Sequence, residues 1–520
     1  METAEHLKKF TCNLDKLSRV KAFVIYGEKE LPQGCSGPRF YLWKDFLKLG
    51  EAVPDAAIFD KMNSQKPGEC CTLIYTSGTT GNPKGCMLSH DNLVWESIEM
   101  QAISERDLPE MSGPQIRVVS YLPLSHIAGL CQDVLQHLLN VCEVYFARPD
   151  ALQGTLVETL KWARPTTFFA VPRIWEKFEE KLKEVAASKP GFMQSISAWA
   201  KSYGTANTMA KLNQQDPPFM YSVANFLILT RIKEQLGLDQ SLCFFYGAAP
   251  LKQTSNDYFA SLDMPLFNVY GMSETTGAFT VQTNRKFSLE AAGYVMDGCD
   301  LKIDNPDENG EGEICMRGRN IMMGYLKNDE ATQSTIDAQG YLHSGDRGKI
   351  DKDGFLRITG RIKELIITAG GENVAPVPIE DNFKIECPPC ANIMMLGEQQ
   401  RFMAALITFK ADIDPKSGVP SRNLMPEARN FFKDKLGVDV KTTEQAIAEP
   451  KVSEFIKQCI EATNKKSVSR AAHIRKFKLL PDDFSVPGGE LTPTLKLKRK
   501  VTEKKYKQHI DEMFAPEPKL

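Results

Sequence analysis

Ten residues, Thr76-Ser-Gly-Thr-Thr-Gly81-Asn-Pro-Lys84-Gly85, follow directly on the apolar run Cys71-Thr-Leu-Ile-Tyr75. No other stretch narrows what the chain can fold into as far. A glycine- and hydroxyl-rich turn leaving a strand lets the backbone come close to a ligand. Its successive N–H groups make an anion cradle, and a lysine adds a point charge. Such a loop suits a polyphosphate. It is not a Walker A loop, which needs Gly, Lys and Ser/Thr in succession, because Pro83 precedes Lys84 and Gly85 follows it. The competing reading is a flexible surface loop of turn formers.

A chain of 520 residues exceeds what one hydrophobic core serves, so two or more domains are expected. Lys and Arg (64) nearly balance Asp and Glu (66), which leaves no general basic field for nucleic acid. Apolar runs such as Phe226–Leu229 and Leu365–Ile367 fall far short of the roughly 20 residues that span a bilayer. Glu2, Glu5, Lys8, Lys9, Asp15 and Lys16 interrupt any signal-peptide core, so a cytoplasmic protein is expected. The 13 cysteines include Cys70-Cys71 and Cys387-Pro-Pro-Cys390. No second ligand pair follows Cys390 at zinc-site spacing, so the thiols read as reduced packing residues.

Between 70 and 350, strand-like runs alternate with amphipathic stretches. Thr166–Val171, Arg117–Leu122, Glu143–Phe146, Leu242–Tyr246 and Leu266–Tyr270 read as strands. Pro172 opens a helix in which Ile174, Phe178, Leu182 and Val185 recur at helical spacing. Strands alternating with helices predict α/β layers. From about residue 300 glycines punctuate short runs (Gly310, Gly312, Gly318, Gly324, Gly340, Gly345), predicting a β-rich subdomain with tight turns. Met394–Leu396 and Ala404–Phe409 flank Gly397-Glu-Gln-Gln400 as a hairpin. The basic tail, from Lys496 to Lys507, reads mostly as a solvated face.

Thr76–Gly85 resembles the AMP-binding signature of the adenylate-forming superfamily, which includes acyl-CoA synthetases, luciferases and peptide-synthetase adenylation domains. Four further segments match it in order: Tyr121-Leu-Pro-Leu-Ser-His126, Tyr270-Gly-Met-Ser-Glu274-Thr275, Ser344-Gly-Asp346 with Gly360-Arg361, and Lys496. Ile366-Ile-Thr-Ala-Gly-Gly-Glu-Asn373 and Gly488-Gly-Glu-Leu-Thr-Pro-Thr-Leu-Lys-Leu-Lys498 resemble long-chain acyl-CoA synthetases, most of all the bubblegum-type subgroup. The resemblance covers nearly the whole chain.

The resemblance implies a role for each motif residue. Thr76, Ser77, Gly78, Thr79 and Thr80, with Gly81, Asn82, Pro83 and Lys84, would hold the β- and γ-phosphates of ATP. Glu274 would place Mg²⁺, the one metal ligand expected. Tyr270 would stack on adenine, with Gly271, Met272, Ser273 and Thr275 beside it and Gly247 lining the adenine and acyl region. Asp346 and Arg361 would bind the ribose hydroxyls. Lys496 would bridge carboxylate and α-phosphate, forming the catalytic set with Glu274 and Thr76; Lys498 is its alternative. Lys363 would be a hinge, and Gly370 and Gly371 would let the pantetheine arm of CoA pass. His126 would lie near the acyl carboxylate or serve as a buried structural histidine. On the residues alone, Glu274 reads rather as a capping carboxylate and Tyr270 rather as a core aromatic, while Asp346, Gly370 and Gly371 read equally as turn residues.

The implied fold class is α/β. Residues 1–360 would form a large multi-layer adenylation domain with a β-rich subdomain, 361–363 a hinge, and 364–520 a small mobile α+β domain carrying Lys496. The implied reaction activates a fatty acid with ATP to an acyl adenylate, releasing pyrophosphate, and then transfers the acyl group to coenzyme A. The expected ligands are therefore fatty acid, ATP, Mg²⁺ and CoA, with no nucleic acid and no obligate protein partner. The hydrophobic substrate and basic tail imply peripheral attachment to the endoplasmic reticulum or another intracellular membrane. Relatives carry a long stretch before the phosphate loop, so part of the first subdomain is expected to be missing. The alternative is a catalytically impaired acyl- or nucleotide-binding paralogue or isoform.

Overall fold

The computed structural model describes residues 1–515 apart from 34, 36, 38, 77–82, 112, 290, 371, 415–416, 468 and 493–495; of residues 153 and 373 it describes the backbone alone. The chain makes two compact units, Met1–Glu69 and Cys70–Leu520. In the first, the Thr3 hydroxyl accepts from the His6 N–H and caps the helix Ala4–Thr11. Leu7 from that helix joins Phe23, Ile25 and Cys35 in a small core. Phe23–Ile25 pairs in parallel with Phe40–Leu42.

The second unit is an α/β assembly. Thr167–Ala170, Cys243–Gly247 and Leu266–Tyr270 run parallel, side by side. Thr280–Val281 and Tyr294–Val295 extend the same sheet antiparallel. The parallel strands are buried and rich in Phe, as strands covered on both faces must be. Pro172 sits at the first position of the helix Pro172–Ala187, where its missing N–H costs nothing. That helix turns Ile174, Trp175, Phe178 and Leu182 into the core. Trp175 is fully buried: its ring lies 5.4 Å from Phe168 and 5.0 Å from Phe259, and its Nε1–H donates to the Phe245 carbonyl at 3.1 Å.

Two further sheets frame the carboxyl ends of those strands. Cys70–Thr76 and Lys84–Ser89 form a hairpin, extended by Gly324–Tyr325. Four antiparallel strands follow in spatial order Asp300–Asp304, Gly312–Arg317, Leu342–Ile350 and Leu356–Arg361, where the glycine-punctuated sequence predicts a β-rich region. A bulge between Arg347 and Gly348 leaves Asp346 directly opposite Arg361. After the turn Ile362–Glu364, a separate core draws only on residues 366–479. Its sheet has Met403–Phe409 in the centre, buried at every position, between antiparallel Cys390–Leu396 and parallel Ile474–Leu479. The hairpin expected around Gly397 is present. Among the described residues no helix is long and apolar enough to cross a membrane.

Truncating the central aromatic anchor removes both packing and a buried hydrogen bond. Trp175→Ala is expected to lower unfolding free energy by about 3–5 kcal/mol, read from the denaturant midpoint; a loss below about 1 kcal/mol would show that the helix is not fixed by this core.

Candidate active site

The carboxyl ends of parallel strands are where an α/β sheet opens for ligands. Tyr270 is the last residue of Leu266–Tyr270, and Gly247 ends the neighbouring strand. A Cβ on Gly247 would lie 2.5 Å from the Val269 carbonyl oxygen, so only glycine fits there without a shift. Beyond Tyr270 the chain turns sharply through Gly271. A Cβ there would meet the Gly277 carbonyl oxygen at 1.8 Å. The Thr275 hydroxyl fixes the turn, accepting from the Met272 N–H at 2.9 Å. Ser273–Thr275 is a single 3₁₀ turn that presents Glu274.

Around this turn the predicted residues converge in two groups. In the first, Asp346 is buried and takes two partners: Arg361 Nε at 2.9 Å on Oδ1 and the Tyr270 hydroxyl, which donates to Oδ2 at 2.9 Å. Burial, then the Asp346 charge, push the Tyr270 hydroxyl well above its ordinary range, so it remains a donor. Lys496 is held beside this pair. Its backbone N–H donates to the Thr492 hydroxyl at 3.0 Å, and the Thr492 N–H donates to its carbonyl at 2.8 Å. Burial, then the Arg361 charge, bring the Lys496 ammonium down to about 8. His126 Nδ1 accepts from the Ala128 N–H at 3.2 Å, capping the short helix Ile127–Leu130. Its basicity is lowered by burial and then by Lys496. The histidine thus has a structural bond and also faces the site.

The second group is the phosphate-loop side. Thr76 and Lys84 pair across the hairpin, the Thr76 hydroxyl donating to the Lys84 carbonyl at 3.5 Å. Lys84 Nζ lies 4.5 Å from the centroid of the Tyr325 ring, and the Tyr325 hydroxyl donates to Glu274 Oε1 at 2.7 Å. Cys86, fully buried, sits 3.5 Å from the Ser273 carbonyl and 3.4 Å from Met322 Sδ, joining hairpin and turn. Ser77, Gly78, Thr79, Thr80, Gly81 and Asn82 lie outside the described residues, as does Gly371. Pro83 is exposed ahead of Lys84.

Lys363 is exposed in the turn Ile362–Glu364. Gly370 is exposed in the turn joining Ile366–Ile367 to Asn373–Val374, and a Cβ there would make only an ordinary contact, 3.7 Å from Thr368 Oγ1. Sequence reasoning passed over Tyr325, Glu364 and Arg499. Arg499 lies within a run read as a solvated face, yet its side chain is mostly buried. Its partners are more than a hundred residues away, so no local pattern marks it. Three metal-ligating side chains, Glu313, Cys315 and His343, also meet on the outer face of the four-stranded sheet. They already satisfy one another. His343 Nδ1 pairs with Glu313 Oε2 at 2.8 Å, and Glu313 Oε1 accepts from the Gly345 N–H at 3.0 Å, bracing Ser344–Asp346, which lies within the strand Leu342–Ile350 and not in the turn expected from the sequence.

Comparison with known proteins bears on this arrangement. The family model for AMP-binding enzymes matches residues 17–326. The chain belongs to the AMP-binding enzyme family. Long-chain-fatty-acid–CoA ligase ACSBG2 of Gallus gallus is 47% identical over 503 residues, covering 96% of this chain and 65% of that protein. ACSBG2 of Xenopus laevis is 42% identical over 517 residues, covering 99% of this chain and 69% of that protein. These relatives are of the bubblegum type, and the chain spans about two thirds of their length. The structure of the A domain of carboxylic acid reductase from Segniliparus rugosus, in complex with AMP and a co-purified carboxylic acid, superposes with a TM-score of 0.64 at 19% identity. It covers 98% of this chain and 74% of that one, which shows that the AMP-binding family shares its α/β fold with this chain.

The Gly271 turn carries the testable consequence of this geometry. Gly271→Ala is expected to destabilise the protein by about 1–3 kcal/mol through overpacking against Gly277; an unchanged denaturant midpoint would show that the turn yields.

Proposed function

We propose that this protein is a long-chain fatty acid–CoA ligase that works in two steps through an acyl adenylate. The observation that carries the reading is that the Lys496 ammonium, from the far end of the sequence, lies within the field of Arg361 and of the buried Asp346 that Arg361 pairs with. The 40–47% identity to long-chain-fatty-acid–CoA ligases supports the choice of acid. The impaired-paralogue alternative is not favoured, since relatives 40–47% identical over nearly the whole of this chain are named long-chain-fatty-acid–CoA ligases.

A carboxylate is a poor acyl donor because its charge repels nucleophiles. Converting it to an acyl adenylate gives it a good leaving group, and the protein's contribution is positioning and neutralisation of charge. In this reading the ATP ribose hydroxyls bind at Asp346 and Arg361, and adenine lies against Tyr270 and the Gly247 strand end. Thr76, Lys84 and the loop between them bind the pyrophosphate side. Lys496, as an ammonium, stabilises the negative charge that gathers as the fatty-acid carboxylate attacks the α-phosphate.

Glu274 offers hard oxygens beside Lys84, which fits a Mg²⁺ carried in by the nucleotide phosphates. The ion would supply further neutralisation of phosphate charge. CoA would then displace AMP, its pantetheine arm passing Gly370, with the exposed Lys363 turn as the hinge between the two steps. Peripheral attachment of a cytoplasmic enzyme to a membrane would bring it to its apolar substrate.

Acid-dependent exchange of labelled pyrophosphate into ATP tests the first step without CoA. Exchange with a long-chain acid is expected, falling by about 10²–10³ in Lys496→Ala. Below pH 8 Lys496 is charged and above it neutral, so kcat/KM for ATP is expected to fall as pH rises through about 8. Absence of exchange with any acid would overturn the ligase reading.

A further inference from the structure

Lys496 lies on a segment that is tied locally to Thr492, and a further tie lies three residues on. Arg499 opens the helix Arg499–Lys505. Its guanidinium forks onto Glu380, with Nη1 donating to Oε1 at 2.7 Å and Nη2 to Oε2 at 2.6 Å. Glu380 stands on the helix Pro376–Glu386, buried, and its Oε1 also accepts from the Met395 N–H at 2.7 Å. The carboxylate is therefore tied to both helix and sheet of the C-terminal core. Arg499 Nε lies 3.9 Å from Glu364, and Glu364 lies 4.0 Å from Arg361 Nη1. Arg361 closes the row on Asp346, and Asp346 on Tyr270. One line of alternating charge thus runs Glu380, Arg499, Glu364, Arg361, Asp346, from the C-terminal core to the end of the central strand.

We infer that Arg499 is a positioning residue for the adenylation step, holding Lys496 against the Asp346–Arg361 pair through its fork onto Glu380 and its contact with Glu364. The inference rests on the ligase reading for its kinetic consequence, and on geometry alone for its structural one. A guanidinium is the group that can do this. Its planar fork matches one carboxylate while the Nε edge remains for a second, which an ammonium cannot reproduce. The segment is also tied independently of Arg499. The Lys498 N–H donates to the Glu490 carbonyl at 2.7 Å, and the buried Glu490 carboxylate pairs with Lys505 and accepts from the Tyr506 hydroxyl at 3.2 Å. Loss of the Arg499 fork therefore frees the lysine's placement while this second anchor keeps the segment on the domain.

Two measurements on the whole protein separate this role from one in mere stability. In pyrophosphate exchange, Arg499→Met is expected to lower kcat about 10- to 100-fold with KM for ATP within about twofold, and Arg499→Lys to recover part of the loss. Independently of activity, acetylation of Lys496 by acetic anhydride, followed by mass spectrometry across pH, reads the lysine's own environment. Its midpoint is expected near 8 in the wild type and closer to that of an ordinary lysine in Arg499→Met, because the ammonium leaves its buried place beside Arg361. Glu380→Gln, which keeps the side-chain shape and an oxygen for the Met395 N–H, is expected to shift both readouts the same way and serves if Arg499→Met does not fold. A kcat within twofold of wild type, or an unmoved labelling midpoint in a folded variant, would overturn the inference. A wild type without exchange, but with the labelling shift intact, would leave the positioning in place and remove the ligase reading instead.

Discussion

A buried carboxylate with two partners sets the geometry of this site. Asp346 lies in the interior, where an unpaired negative charge is costly, and it is held there by Arg361 across the sheet and by the Tyr270 hydroxyl. Those three residues come from different places. Tyr270 ends a parallel strand, Asp346 sits at the bulge of an antiparallel one, and Arg361 ends the next. Satisfying the one charge requires the two sheets to meet at a fixed place. The bulge matters for that reason: without the extra residue Thr359 on the Arg361 strand, opposite the Arg347–Gly348 step, Asp346 would not oppose Arg361.

The phosphate-loop side is built by a parallel logic. The hairpin of Cys70–Thr76 and Lys84–Ser89 gains Gly324–Tyr325 as a third strand, and that pairing puts Tyr325 between Lys84 and Glu274. The ring takes the cation on its face and the hydroxyl takes the carboxylate, so opposite charges are kept close without collapsing onto each other. A lysine so placed remains available to phosphate, and a carboxylate so placed remains available to a hard cation. The C-terminal segment adds the group that neither sheet supplies, Lys496, seated by an ion-pair row that continues from Asp346.

Much of the fold is legible in the sequence because it is written locally. Glu143–Phe146 and Leu266–Tyr270 are strands at the limits their sequences suggest, the second set between Pro265 and Gly271. Pro172 announces its helix, and the glycines after 300 announce tight turns. Of the site, residues in compact motifs are legible: Glu274 in its Gly-Met-Ser setting, Asp346 beside Ser344-Gly345, and Lys84 after a glycine-rich loop. What the sequence hides is pairing across distance. Arg499 is one basic residue among several, and only the fold reveals that it faces Glu380, 119 positions earlier. Tyr325 and Glu364 are ordinary residues until a neighbouring strand or turn gives them a partner. Gly370 is the converse case, since the structure shows no steric need for glycine there.

If Asp346 organises nucleotide binding, its charge should be needed for binding as well as for catalysis. Calorimetric titration of ATP and AMP into folded Asp346→Asn measures this directly. An affinity about 10- to 100-fold below wild type for both nucleotides is expected, the size of a lost hydrogen-bonded charge. Affinities within about twofold of wild type would contradict the central place given to Asp346.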